Sequence, residues 1–207
     1  MATISRATRI RNPAVFLCDI QERFRTGIYE FSKLVSTSEK LLKAAQTLDI
    51  PVYVTTQNRA RLGDTVSELQ PYLSHSNVQA NIDKTLFSMI TPEIAALLPA
   101  FSSSSFPLDA IIVGIETHIC VTQTTLDLLA RGHRVYLLVD GVSSMNPEER
   151  AVALSRLRDA GAIVTSSESI IFEMLGDAKR SEFKAISNLV KECKEETTAA
   201  LEVFAKI

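Results

Sequence analysis

Short apolar runs alternate along the chain with longer segments in which apolar residues recur at helical spacing. The runs are typical of strands and lie at 14–18, 51–56, 78–83, 110–113, 135–139 and 162–165. The helical spacing predicts helices at 35–48, 92–98, 118–131, 147–160, 170–175 and from 183 onward. Because strands buried on both faces appear as continuous apolar runs, this alternation predicts an α/β three-layer sandwich. Its sheet is expected to be mostly parallel, with about six strands.

Polar residues and glycines suggest where these elements begin and end. Candidate N-caps for the first long helix are Ser36, Thr37 and Ser38. Gly161 is placed to end the helix at 147–160. The segment 57–63 is predicted to be a polar loop, and the serine-rich segment 101–107 a connector too short to separate two domains. We therefore predict a single domain over 1–207, with an N-terminal extension at 1–12 and a peripheral helix at about 194–207.

Composition and charge narrow the class of protein. The chain has 207 residues, of which 46% are hydrophobic, and its net charge is -2. A chain of this length and hydrophobic content can bury one sizeable core. Its net charge is close to zero and therefore does not indicate nucleic acid or an anionic membrane as a partner. No apolar run approaches the roughly 18 residues of a membrane-spanning helix.

The cysteines predict a reducing compartment. Three cysteines are too few for a disulfide framework in a chain of this length. Cys18 lies within an apolar strand and Cys193 within a Lys/Glu-rich segment. We predict a cytoplasmic location. The acid-free N-terminus with Arg6, Arg9 and Arg11 leaves organelle import as an alternative.

Several common α/β functions lack their motifs. None of the seven glycines forms a dinucleotide-binding or P-loop signature, and the serine-hydrolase elbow is missing. The three histidines share no metal-ligand spacing, so we predict no metal. His75 and His133 are expected to be solvated. His118 is closer to the candidate chemistry, but a histidine at a helix start is more often a surface residue than a base.

Four polar residues fall at or just beyond the predicted carboxyl ends of separate strands: Asp19, Gln57, Lys84 and Cys120. Ligands of parallel α/β sheets bind at this edge. Cys120 stands where a helix should begin, and free amide groups with the helix dipole favour a thiolate there. Each residue also has a simpler interpretation: Cys120 as a packed thiol, Asp19 as a helix cap and Lys84 as a solvated side chain.

Three stretches carry a family resemblance: Phe16–Gln21 (FLCDIQ), Lys84 after the third strand, and Gly114–Val121 (GIETHICV). In these residues the chain resembles the isochorismatase-like cysteine hydrolases, a superfamily that includes nicotinamidases, N-carbamoylsarcosine amidases and isochorismatases. The resemblance covers about 12–190. It is strongest toward the isochorismatase-domain-containing group, through GIETHICV and the segment 165–169 (TSSES).

The resemblance implies a catalytic triad and a reaction. Cys120 would attack a carbonyl carbon, Asp19 would move the proton, and Lys84 would favour the thiolate and hold Asp19. Backbone N–H groups of Glu116 and Cys120 would stabilise the oxyanion. A non-proline cis peptide is expected at Ile115-Glu116. The implied reaction is hydrolysis of a small amide-type carbon–nitrogen bond through a thioester acyl-enzyme.

Loop position suggests the walls of a substrate pocket: Phe24, Gln57, Leu62, Phe87 and Glu116. Core packing explains Phe24 and Phe87 equally well. Metal-binding nicotinamidases carry a histidine after the second strand, whereas this chain has TQNR at 56–59. A zinc or iron site is therefore not expected, and no cofactor is predicted.

Partners and alternative functions also follow from the resemblance. It implies a small-molecule substrate and a homo-oligomer, either a dimer or a tetramer. One alternative is isochorismatase-type vinyl-ether hydrolysis, with Asp19 as the acid and no need for Cys120. Another is a non-catalytic protein that binds a partner on a retained enzyme fold.

Overall fold

The computed structural model describes residues 9–99 and 106–206. Six strands form one parallel sheet in the order β3-β2-β1-β4-β5-β6. They are β1 (Pro13–Cys18), β2 (Val52–Gln57), β3 (Val78–Lys84), β4 (Asp109–Gly114), β5 (Arg134–Val142) and β6 (Ile163–Thr165). This confirms the predicted α/β fold, and the sheet is parallel throughout the described residues.

Eight α-helices lie in the described part of the chain: α1 (Phe31–Thr47), α2 (Arg59–Leu62), α3 (Pro92–Leu97), α4 (Thr122–Ala130), α5 (Pro147–Ala160), α6 (Ser167–Leu175), α7 (Phe183–Glu192) and α8 (Lys194–Phe204). Short 3-10 turns occur at Glu22–Phe24 and Gln70–Tyr72, and a π-helical turn at Thr117–Val121. No helix among residues 9–99 and 106–206 is long and apolar enough to cross a bilayer.

The side chains of each strand point alternately to the two faces of the sheet, so the interior consists of two hydrophobic cores. In β1, Val15 and Leu17 pack with α1, α6 and α7, whereas Phe16 and Cys18 pack on the other face with α3, α4 and α5. Successive strand residues point to opposite faces, so a wholly apolar strand supplies both layers. The three-layer arrangement follows from this pattern.

The chain reverses its direction across the sheet between β1 and β4. From β1 it proceeds outward to β2 and β3, and then returns to β4 on the other side of β1. At such a switch point the connections leave in opposite directions and open a crevice beyond the carboxyl ends of the strands. Asp19 follows β1 at this crevice, and the Gly114–Val121 stretch follows β4.

The long first helix begins earlier than predicted. It starts at Phe31 after Glu30, so Ser36 and Ser38 lie inside the helix instead of capping it. Their hydroxyls donate to carbonyls one turn back, those of Ser32 and Leu34. The expected polar loop at 57–63 contains the short helix α2. The predicted connector at 101–107 lies mostly outside the described residues.

One prediction about solvent exposure was wrong. His133 is buried, and its Nδ1 accepts the Leu108 N–H at 3.2 Å, whereas the pattern before a strand had suggested a solvated turn. Burial lowers the pKa of His133. The last helix, predicted to be peripheral, buries Ala200 and Phe204 on one face, and the Arg150 guanidinium lies 4.6 Å from the Phe204 ring centroid.

Gly114 is required where β4 meets β1. Its φ is +129°, a conformation that favours glycine, and an added Cβ would lie 2.1 Å from the Cys18 carbonyl oxygen. At this point beside the crevice the backbone of β1 leaves no room for a side chain on β4.

We expect Gly114→Ala to lower the free energy of unfolding by at least about 3 kcal/mol, because both the backbone strain and the overlap must be relieved. Urea unfolding measures the change. The control Gly27→Ala, whose added Cβ would lie 3.5 Å from its nearest contact, should change it by less than about 0.5 kcal/mol. Equal effects of the two substitutions would contradict the account.

Lys40 is a buried cation on the α1 side of the sheet. Only 2% of it is exposed, and its Nζ donates to Thr197 Oγ1 of α8 at 2.7 Å. Burial lowers the pKa of Lys40, although the Asp140 carboxylate acts in the opposite direction. The unfolded chain therefore binds the Lys40 proton more readily than the folded chain.

As the pH rises, Lys40 loses its proton at a lower pH in the folded state than in the unfolded state. Over that range its contribution makes the folded state more stable with increasing pH. The free energy of unfolding, compared with that of Lys40→Met, should rise as the pH increases toward about 10.4, the ordinary pKa of lysine, and level off above it. Lys43→Met is the control, because a hydrogen bond to Glu39 raises the pKa of Lys43. The contribution of Lys43 is constant below about pH 10.4 and is lost above it. A difference between wild type and Lys40→Met that is flat with pH would contradict the argument.

Candidate active site

Asp19 is a buried carboxylate at the carboxyl end of β1. Its backbone has φ 54°, and 1% of the residue is exposed. Oδ1 accepts the Thr55 hydroxyl at 2.7 Å, and Oδ2 accepts Lys84 Nζ at 2.7 Å. Asp19 is therefore not a helix cap, which was its alternative interpretation. Its two oxygens are held by side chains from neighbouring strands.

Lys84, the last residue of β3, is buried against Asp19 and not solvated. Besides Asp19, its ammonium group lies 2.7 Å from Gln57 Oε1, 3.0 Å from the Leu86 carbonyl oxygen and 3.1 Å from that of Phe87. Three N–H groups thus meet four acceptors. The ammonium group is fully engaged within the protein.

Gln57 and Gln21 fix the loop that follows β2. The Gln57 side chain donates to the Thr85 carbonyl oxygen at 2.9 Å while its own carbonyl oxygen accepts from Lys84. The Gln21 amide accepts the Gln57 N–H at 2.7 Å and donates to the Gly63 carbonyl oxygen at 2.7 Å. These bonds position the short helix α2, which carries Leu62.

Cys120 lies in the π-helical turn that follows β4, and 6% of it is exposed. The predicted cis peptide at Ile115-Glu116 is confirmed. After it, the Thr117 N–H donates to the Ser143 carbonyl oxygen at 2.9 Å, which secures the start of the turn. No described residue accepts the Glu116 N–H, and none outside the turn accepts the Cys120 N–H. Both residues lie at the crevice.

Cys18 is a second thiol at the same place, and the sequence analysis treated it only as a strand residue. Its Sγ lies 3.7 Å from Asp19 Oδ2 and 3.4 Å from the Ile115 carbonyl oxygen. Burial, together with a hydrogen bond to Cys120, raises the pKa of the Cys18 thiol well above its usual range. Cys18 therefore stays a neutral thiol beside the more accessible Cys120.

A cavity of about 180 Å³ opens at the crevice, and Asp19 and Cys120 both lie in its wall. Lys84 stands behind Asp19 and does not line it. All five residues suggested as pocket walls line the cavity, and they are Phe24, Gln57, Leu62, Phe87 and Glu116. Substrate binding by them stays a prediction.

Sequence reasoning missed Thr55, Ile115 and Ile119 at this site. Ile115 and Ile119 line the cavity, and each directly precedes a residue that was predicted for the site, Glu116 and Cys120 respectively, so proximity along the chain was an available signal. Thr55 precedes Gln57 by two residues in β2 and therefore shares its face of the sheet. Apart from these signals, the sequence does not distinguish an isoleucine or threonine at a site from one that packs in the hydrophobic core.

Within 9–99 and 106–206, no group of three or more His, Cys, Asp or Glu side chains could hold a metal ion. Beyond β2 the chain supplies Gln57, Asn58 and Arg59, of which Gln57 is bound to Lys84 and the Arg59 N–H donates to Asp83. The absence of a metal or cofactor from the reaction stays a prediction.

The arrangement combines three chemical capabilities in one small space. Cys120 and Asp19 place a thiol and a carboxyl group in the wall of one cavity, and a buried cation is bonded to that carboxyl group. Two backbone N–H groups near the thiol can receive negative charge on oxygen. This set is suited to nucleophilic attack on a carbonyl carbon.

Comparison with known proteins agrees with the geometry. A family model described as the isochorismatase domain matches residues 13–169. The secreted isochorismatase effector Isc1 of Phytophthora sojae is 40% identical over 200 residues, which cover 93% of each chain. Isochorismatase domain-containing protein 2 of Bos taurus is 42% identical over 183 residues, covering 86% of this chain and 82% of the relative.

A solved structure shares both fold and sequence. The MAR1 ribonuclease of Caenorhabditis elegans superposes with a TM-score of 0.82 at 39% identity, over 89% of this chain and 93% of that one. The matched domain spans every strand of the sheet, from β1 through β6. With its sequence and its fold both in agreement, the chain belongs to the isochorismatase family, a family of hydrolases.

Proposed function

We propose that the protein is a cysteine hydrolase that cleaves a small amide-type carbon–nitrogen bond. One observation carries the proposal. Cys120 and Asp19 line the same cavity, and Asp19 is bonded to the buried Lys84 at 2.7 Å. A thiol beside a carboxylate that is paired with a buried cation is the combination needed to remove the thiol proton.

In the proposed reaction, Cys120 Sγ bonds to the amide carbonyl carbon as its proton passes to Asp19. Collapse of the tetrahedral adduct breaks the carbon–nitrogen bond, and Asp19 returns the proton to the leaving amine. Water then attacks the thioester with Asp19 as the base, which releases the acid and restores the thiol. Atoms and charge balance at each step without an additional reactant besides water.

The Glu116 and Cys120 N–H groups are proposed to stabilise the oxyanion of both tetrahedral adducts. Their lack of acceptors outside the turn leaves them available for this purpose. Removing one such donor in other hydrolases costs about 2.7–4 kcal/mol of transition-state stabilisation.

A second candidate function is hydrolysis of isochorismate, with Asp19 protonating the vinyl ether. The observation that favours it is the name of the Phytophthora sojae relative, an isochorismatase effector 40% identical to this chain. This alternative needs Asp19 but no thiol. Turnover of isochorismate that survives in Cys120→Ala would support it.

Two other functions have less support from the structure of the cavity. The Caenorhabditis elegans protein is named a ribonuclease, but a cavity of about 180 Å³ is small for a nucleotide and no arginine or lysine lines it. A non-catalytic partner-binding protein would have no need for a buried Asp19–Lys84 pair next to a thiol that lines a cavity. RNA is nevertheless a useful member of the substrate panel.

Location and assembly are proposed on narrower grounds. We place the protein in a reducing cytoplasmic compartment, because its three cysteines are free thiols in the structure. The Phytophthora sojae relative is described as secreted, so location can differ among related chains. A homo-oligomer, either dimer or tetramer, stays a prediction that light scattering in solution would test.

The proposed chemistry predicts distinct losses for the two reacting groups. On a panel of small amides, ureides, isochorismate and RNA, Cys120→Ala should lower kcat for the accepted amide by at least about 10⁴-fold. Asp19→Asn should lower it by about 10²–10⁴-fold, since it removes the proton carrier. Cys193→Ala is the control, because this half-buried thiol packs on the opposite face of the sheet and should leave kcat unchanged.

An intact-mass measurement accompanies the panel. An electrophilic amide should add one adduct to wild type and none at position 120 in Cys120→Ala. Full amide turnover by Cys120→Ala, or no adduct on Cys120 at neutral pH, would overturn the proposal.

Lys84 should matter for stability as well as for chemistry. Lys84→Met leaves the Asp19 carboxylate buried without its cation, and we expect the free energy of unfolding to fall by about 3–5 kcal/mol. The control is Lys33→Met, which breaks the partly exposed pair with Glu30 and should cost less than about 1 kcal/mol. Urea unfolding at neutral pH measures both, and equal losses would count against a structural role for the Asp19–Lys84 pair.

A further inference from the structure

The charged residues that line the cavity are all acidic. The acidic residues Asp19 and Glu116 line it, and among residues 9–99 and 106–206 no Lys, Arg or His does. Lys84 lies behind Asp19 with four acceptors around three N–H groups, so it has none left for a ligand. An anion entering this cavity would therefore lose water without gaining a cation.

Glu116 is the acidic residue that no cation neutralises. Its Oε2 accepts the Met145 N–H at 2.8 Å, and no ion pair of Glu116 occurs among the described residues. Glu116 is half-buried, so its charge acts on the cavity through a medium of lower dielectric than bulk water. Asp19 differs in that Lys84 offsets its charge.

The nearest arginines along the chain do not change this balance. Arg23 and Arg61 neighbour the lining residues Phe24 and Leu62, but both are exposed and neither lines the cavity. Their charges are screened by salt. Arg25 is engaged by Glu22 and Glu68.

Size and polarity restrict the ligand further. Pockets for drug-sized ligands measure roughly 300–1,000 Å³, whereas this cavity measures about 180 Å³. Six of its nine lining residues are apolar or thiol-bearing: Phe24, Leu62, Phe87, Ile115, Ile119 and Cys120. A compact acyl group with an apolar body suits these walls.

Resting on the proposed function, we propose that the substrate is a compact amide with an apolar acyl group and no negative charge, and that the Glu116 carboxylate excludes anionic analogues. Glu116 is then a specificity residue through its side chain, separately from its backbone N–H. Dicarboxylates such as isochorismate fall outside this class.

Alkylation of Cys120 by two matched reagents tests the proposal without knowledge of the substrate. Iodoacetamide and iodoacetate are nearly the same size and differ by one negative charge. Peptide-level mass spectrometry gives the ratio of their rates at Cys120, with the half-buried Cys193 in the same molecule as the reference for intrinsic reactivity. We expect the neutral-to-anionic ratio at Cys120 to exceed that at Cys193 by about tenfold or more.

Glu116→Gln removes the charge, and its amide oxygen can still accept the Met145 N–H. It should lower the ratio at Cys120 by about tenfold and leave the ratio at Cys193 unchanged. The matched control Glu202→Gln removes one charge from the exposed face of α8 and should leave both ratios unchanged.

The outcomes separate the two proposals. If Cys120 reacts with both reagents but its ratio equals that of Cys193, or does not change in Glu116→Gln, the charge selection is wrong while the nucleophile stands. If Cys120 reacts with neither reagent while Cys193 reacts with both, the proposed function is wrong, and the substrate class that rests on it is overturned too.

Discussion

The buried ion pair between Asp19 and Lys84 is the interaction on which the arrangement of the site depends. The two residues end strands that are separated by β2, and β2 supplies partners to both of them: Thr55 to Asp19 and Gln57 to Lys84. A carboxylate without water or a cation at this depth would be strongly disfavoured. The pair therefore ties the carboxyl ends of three strands together and holds the Asp19 carboxyl group at the cavity that Cys120 also lines.

The fold was largely predictable because its signals are local. Continuous apolar runs indicated the parallel sheet, and the strand ends placed Asp19, Gln57, Lys84 and Cys120 at one edge. The ends of the helices and the burial of individual side chains were harder to predict from the sequence. The early start of α1 and the burial of His133 and Phe204 depend on contacts between distant elements, which no pattern in the sequence records.

The sequence predicted most of the residues that lie at the site, but it did not predict most of the contacts between them. The resemblance pointed to Asp19, Lys84 and Cys120 and to the cis peptide, and loop position identified the five cavity walls. The Thr55 bond to Asp19, the contact of the Cys18 thiol with the same carboxylate and the four acceptors around Lys84 could not be foreseen. They arise from strand register and side-chain orientation. The one-sided charge of the cavity likewise became visible only when its lining was known.

The central claim is that Asp19 activates Cys120 as a nucleophile. The most direct measurement is the rate at which iodoacetamide alkylates Cys120 at neutral pH, in wild type and in Asp19→Asn, with Cys193 as the reference in both. The account predicts that wild-type Cys120 reacts faster than Cys193 and that Asp19→Asn slows Cys120 by at least about tenfold while Cys193 is unaffected. A Cys120 that reacts no faster than Cys193, and equally in both proteins, would contradict it.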